Sequence, residues 1–115
     1  MELNNLIESM FLPLKLPIAE NQFIQYADKP IPTPPYIVYV IVSESTDGSD
    51  FNPGALVNVN VNIEFYSFMR DHISEKKIEK ILSNNHFDFN KSYVYIESEE
   101  LHKTTYYITF MNKEI

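Results

Sequence analysis

Apolar residues near the start of the chain fall at Leu3, Leu6, Ile7, Met10 and Phe11. Spacings of three and four place them on one face of a helix, which Pro13 ends. The residues from Leu12 to Pro35 then hold six of the seven prolines. Each proline removes a backbone donor and disfavours helix in the residue before it, so this stretch reads as an irregular connection with a short extended piece over 23–26. Its apolar residues Leu14, Leu16, Ile18 and Phe23 predict that it runs along the domain. Tyr36 to Val42 is continuously β-branched and aromatic, the signature of a strand covered on both faces and central in a sheet.

Ser43 to Ala55 forms a thirteen-residue polar segment with turn signals at Asp47-Gly48 and Pro53-Gly54. It predicts a long loop between two strands, and loops of that length commonly carry function. In the next strand Val57, Val59, Val61, Ile63 and Phe65 alternate with Asn58, Asn60, Asn62 and Glu64. One face is core and the other is wet. Ser74 reads as a helix N-cap, with Ile73 and Ile78 as a hydrophobic staple, and Ile78, Ile81 and Leu82 give the helix a narrow apolar stripe. Asn84-Asn85 can supply a left-handed cap. Strands over Tyr93 to Glu97 and Thr104 to Met111 follow, joined as a hairpin by the charged segment 98–103.

These elements predict an α+β fold of order α-β-β-α-β-β: a four-stranded, mostly antiparallel sheet with two helices on one face. The chain reads as a single domain over 1–115, with helix in 1–12, a proline-rich connection in 13–35, and the sheet and second helix in 36–115. The second sheet face must be solvated or buried by another subunit. No internal repeat is visible.

Composition narrows the chemistry. With 115 residues, 44% of them hydrophobic, the chain has material for one core and differs from a disordered acidic tail. Zero Cys excludes disulfides, thiolate metal sites and cysteine nucleophiles. A net charge of −7 argues against a general nucleic-acid binder, because phosphate neutralisation needs clustered Lys and Arg. The longest apolar run is far below the roughly 20 residues of a membrane span, and Met1-Glu2 opens without a basic, signal-like segment. The expected protein has no membrane partner and no export signal of its own.

With glycine only at 48 and 54, neither a nucleophile elbow nor a phosphate-binding glycine loop can be built. His72, His86 and His102 lack metal-ligand spacing, and the plain reading is of surface histidines in loops. The expectation is a protein that is not an enzyme and takes no metal or cofactor. The Asn58, Asn60, Asn62 row has two readings: polar filler on a solvent face, or amides that line a channel or meet a neighbouring subunit. Seven tyrosines, at 36, 39, 66, 93, 95, 106 and 107, lie in or beside strands. In the strand over Tyr93 to Glu97, Tyr93 and Tyr95 face one side and Val94 and Ile96 the other, so both faces carry large apolar surface. Tyrosine suits protein interfaces because its ring is apolar and its hydroxyl tolerates water, and part of this set predicts a subunit interface.

Several strings, in this order, resemble the small neck proteins of tailed bacteriophages and prophages, the tail-terminator or head–tail joining family. They are Pro35-Tyr36-Ile37-Val38-Tyr39, Gly48-Ser49-Asp50, Ile63-Glu64-Phe65-Tyr66-Ser67, the helix Glu75 to Leu82, and Tyr95-Ile96-Glu97-Ser98-Glu99-Glu100-Leu101. They cover most of the chain from residue 35 onward, and the first thirty-four residues match nothing in the family. The resemblance implies a structural role in the virion neck, reached by assembly in the host bacterial cytoplasm. The subunit would form a homo-oligomeric ring, usually hexameric, on the end of the tail, contacting the major tail tube protein and the head connector or stopper. The implied contact residues are Gly48, Ser49, Asp50 and Phe51 in the long loop, the Asn58, Asn60, Asn62 row, and Glu97, Glu99, Glu100 and Leu101 in the hairpin. Two other classes are an acidic inhibitor or DNA mimic, and a small enzyme or metal-dependent factor built on His86, Asp88 and His102.

Overall fold

The computed structural model describes residues 2–25, 30–46 and 56–114. In chain order it forms helix α1 (Leu3–Phe11), a 3-10 turn (Leu12–Leu14), β1 (Ile18–Glu20), β2 (Tyr36–Thr46), β3 (Leu56–Ser67), α2 (His72–Asn84), β4 (Asn90–Ile96) and β5 (Leu101–Glu114). The five strands build one sheet in the order β1-β2-β3-β5-β4. Only β1 runs parallel to its neighbour; the other pairings are antiparallel.

The class is α+β as expected, but the sheet is five-stranded and mixed. The additional strand lies at Ile18–Glu20, whereas 23–25 carry no regular structure. A short edge strand tolerates proline at its border, because only one side needs backbone partners. Here the Pro17 carbonyl accepts from the Ile37 amide at 2.9 Å, and the Asn21 amide donates to the Tyr39 carbonyl at 2.8 Å. The proline-rich connection does run along the domain: the Phe23 ring meets Tyr36 edge-on at 5.0 Å between centres.

One face of the sheet carries the core. Val57, Val59, Val61, Ile63 and Phe65 of β3 point there with Ile37 and Tyr39 of β2 and Tyr106, Ile108 and Phe110 of β5. Ile7 and Phe11 of α1 and Ile78 and Leu82 of α2 close over them, so both helices pack on this face. On the opposite face cross-strand rows run Tyr36, Tyr66, Lys103, Val94, and next to it Val38, Glu64, Thr105, Ser92.

Several boundaries differ from the sequence reading, among them those of β4, which runs Asn90–Ile96 and not Tyr93 to Glu97, and of β5, which runs Leu101–Glu114 and not Thr104 to Met111. Strand β2 continues through Ser43–Thr46, because a bulge at Val42 restores its register with Val57–Asn60. The connection is therefore 47–55, and it lies outside the described residues, as do Gly48, Ser49, Asp50 and Phe51. Helix α2 is capped by Asp71, whose Oδ1 accepts the Ser74 amide at 3.0 Å and whose Oδ2 accepts the Ser74 hydroxyl at 2.7 Å. Ser74 sits inside the first turn, and Ile73, 73% exposed, forms no staple. At the other end the left-handed residue is His86, with φ 63°, and Asn85 is not left-handed. The Phe87 amide donates to the Leu82 carbonyl and the His86 amide to the Ser83 carbonyl, a Schellman closure that turns Phe87 onto the Phe110 ring. The β4–β5 turn is only Glu97–Glu100, with Glu100 left-handed at φ 54°.

Candidate assembly surface

Strand β4 lies at the sheet edge, and every one of its residues except Ile96 is exposed. Alternation sends Tyr93 and Tyr95 to the helix-bearing side and Val94 to the other, as the sequence predicts. Tyr93 remains 39% exposed, Tyr95 46% and Val94 51%, so large apolar surface faces outward on both sides of one strand. The tyrosines are held in place. The Arg70 guanidinium lies 3.7 Å from the centre of the Tyr93 ring, and His102 of β5 stacks on Tyr93 and contacts Tyr95. The Tyr93 hydroxyl and His102 Nδ1 share a hydrogen bond.

Arg70 is positioned by a buried carboxylate that the sequence reading left unremarked. Glu75, 1% exposed, accepts from Arg70 Nε at 2.8 Å and from Nη2 at 3.2 Å. Lys91 Nζ of β4 lies 2.9 Å from Glu75 Oε1 and 2.8 Å from Glu79 Oε2, and the Tyr106 hydroxyl also donates to Glu79. Burial alone would raise the Glu75 pKa, but the hydrogen bonds and charges of Arg70 and Lys91 overcome it and hold the carboxyl down at about 2. The cluster ties the loop after β3, helix α2 and strand β4 together. Its signal in the sequence is positional: Glu75, Ile78, Glu79 and Leu82 follow the i, i+3, i+4, i+7 spacing of one helix face, so carboxylates fall on the apolar stripe.

Beside Arg70 lies an open groove of about 580 Å³, walled by Pro34, Pro35, Phe68, Met69 and Ile73. Phe68 is 57% and Met69 78% exposed. Because Arg70 borders this groove and also covers Tyr93, the apolar loop and the aromatic edge strand are linked through one side chain.

The candidate contact residues divide between the two ends of the sheet. Glu97, Glu99 and Glu100 stand exposed in the β4–β5 turn, while Leu101, 8% exposed, is buried as the first residue of β5 and anchors it. That turn lies at the end of the sheet where β2 begins and β3 finishes. Thr46 and Leu56, which lead into 47–55, lie at the opposite end, roughly 30 Å away along the strands. The Asn58, Asn60, Asn62 row lies between them on the open face, partly buried. Asn60 is engaged within the sheet: its amide donates to Ser43 Oγ at 2.9 Å and accepts from Thr109 Oγ1 at 2.8 Å.

Comparisons with protein-family models, curated proteins and solved structures find no match. Chemistry must therefore be read from the geometry. His86 and Asp88 border a hollow with Tyr107, Thr109 and Met111, whereas His102 lies five residues before Tyr107 on β5, about 17 Å along the strand. These three side chains do not converge. Among the described residues no group of three or more His, Cys, Asp or Glu side chains could hold a metal ion, and no helix is long and apolar enough to cross a membrane.

Proposed function

We propose that this chain is a structural subunit of a tailed-phage or prophage neck, a tail-terminator or head–tail joining protein that assembles as a ring, hexameric in the particle. The observation that carries this reading is the placement of the turn Glu97–Glu100 and of the strand ends Thr46 and Leu56 at opposite ends of one sheet, with an exposed aromatic strand on the flank. A joining subunit needs two end surfaces for two different neighbours and a side surface for its own copies. The turn Glu97–Glu100 and the connection 47–55 would supply the ends, facing the head connector and the major tail tube protein. Exposed apolar residues such as Tyr93, Tyr95, Phe68 and Met69 are of the kind that subunit contacts bury. The resemblance of several strings to the neck family adds to this reading.

The test is deletion of the gene from the phage or prophage that carries it, with induced particles viewed by negative-stain electron microscopy. DNA-filled heads beside unattached tails of abnormal length are the expected outcome for a terminator. Unattached heads with tails of normal length would point to a different joining protein. Normal infectious particles would end the neck reading and favour an acidic inhibitor or DNA mimic, which has in its support three exposed carboxylates within the turn Glu97–Glu100.

A further inference from the structure

The two flanks of the molecule differ in free charge. Helix α1 lies over β1 and β2, where the Asn4 amide donates to Glu20 and the Tyr39 hydroxyl donates to Glu8. Helix α2 lies over β5 and β4, where the Tyr106 hydroxyl donates to Glu79 and Lys91 pairs with it. On the α1/β1 flank Glu2, Glu8 and Glu20 are exposed, against one exposed cation, Lys15. The donors that Glu8 and Glu20 meet are neutral, so the charge of both carboxylates is left unbalanced. On the α2/β4 flank Glu75 and Glu79 already hold Arg70 and Lys91. Lys76, Lys77 and Lys80 stand exposed there and form no ion pair among the described residues.

The apolar surface of both flanks lies toward the same end of the sheet. Exposed Leu12 follows α1, six residues before β1 opens beside Ile37, and the groove walled by Phe68, Met69 and Ile73 follows the end of β3. Helix α1 runs from the Glu20 end of β1 toward that level, and α2 runs away from it. Leu12, Glu8 and Asn5 recur along the first at intervals of four and three residues, and Ile73, Lys76 and Lys80 along the second at three and four. Such spacings keep each set on one side of its helix, so two antiparallel helices can match an apolar end to an apolar end and a carboxylate to lysines. The edge strands also share a level, because Ile18 aligns through Ile37, Phe65 and Thr104 with Tyr93.

We propose that copies of this chain meet head to tail, the α1/β1 flank of one seated on the α2/β4 flank of the next, with Leu12 in the groove beside Met69 and Glu8 facing Lys76 and Lys77. Charge selects this occupant: a two-fold contact through the α2/β4 flank would set its three free lysines against themselves. It also gives Tyr93 and Tyr95 a neighbour on the flank where they are exposed. A head-to-tail contact without rise along the strands closes on itself, whereas one with rise winds into a filament, and the shared level of the two edges removes the rise. The contact rests on the neck reading only for its closure into a ring.

The absence of native cysteine permits a direct test on the full-length chain. Under mild oxidation Leu12→Cys mixed with Met69→Cys should give a disulfide-linked dimer, neither should cross-link alone, and a chain carrying both should give a ladder of multimers. Lys76→Glu with Lys77→Glu in the Met69→Cys chain should cut the cross-linked fraction at least tenfold with an unchanged circular dichroism spectrum. Glu8→Lys in the Leu12→Cys chain should restore it. A mixture that fails to cross-link at ~1 mM chain overturns the proposal, as does a single-cysteine chain that cross-links with itself as readily as the mixture. If particles from the gene deletion are nevertheless blocked in joining, only this contact fails. If head-to-tail cross-linking succeeds while those particles are normal and infectious, only the neck reading fails.

Discussion

Glu75 shows how one residue can decide a local structure. A carboxylate at 1% exposure survives burial only because Arg70 and Lys91 satisfy both of its oxygens. Glu75→Gln would take from Arg70 the carboxylate it binds and leave Lys91 with Glu79 alone, and it is expected to cost about 2 to 3 kcal/mol in chemical denaturation. That figure is set below a fully buried pair because the cations are themselves part-exposed. The pH dependence has a definite sign. With a folded-state pKa of about 2, below the ordinary 4.5, the charged form of Glu75 stabilises the fold at pH above about 4.5. That contribution is lost as pH falls toward 2, so the stability gap between wild type and Glu75→Gln should close across this window. The location of Glu75 on the apolar stripe was legible in the sequence. Its partners were not, since Lys91 is sixteen positions away and reaches Glu75 only because β4 lies beside α2.

At the scale of elements, sequence signals were reliable for the existence of the longer elements and weaker for their ends. Helix α2 was expected, but a choice between Asp71 and Ser74 as cap depends on which side chain can reach a free amide, and Asp71 reaches the one on Ser74. At its C-terminus His86 holds the left-handed position that glycine occupies most cheaply. His86→Gly should therefore raise the thermal midpoint and add up to about 1 kcal/mol of stability, read by denaturant titration. A loss of stability would mean that the imidazole makes contacts of greater worth than the backbone strain. Strand β1 escaped the sequence reading because three residues among prolines have no periodicity to detect, and the strand exists only because β2 offers a partner. The extension of β2 to Thr46 has the same origin: Ser43–Thr46 is polar, but β3 pairs with it beyond the bulge.

For the whole molecule the decisive feature is that one sheet separates two polar ends by roughly 30 Å and leaves a flank uncovered. If the ends face different neighbours in a neck, shortening the connection 47–55 should abolish head–tail joining in particle assembly while the melting profile of the isolated protein stays unchanged. Joining that proceeds normally would remove this connection from the contact surface. The sequence by itself determined the α+β class, the helix-facing side of β3, both helices and the two-faced apolar character of β4. Each of these follows from local periodicity, which needs no knowledge of neighbours in space. Only the tertiary structure decided that the sheet has a fifth, parallel strand, that Glu75 is buried against Arg70 and Lys91, and that β4 ends the sheet. These depend on which distant segments lie side by side, and hydrophobic patterning is blind to that because many strand orders bury the same residues equally well.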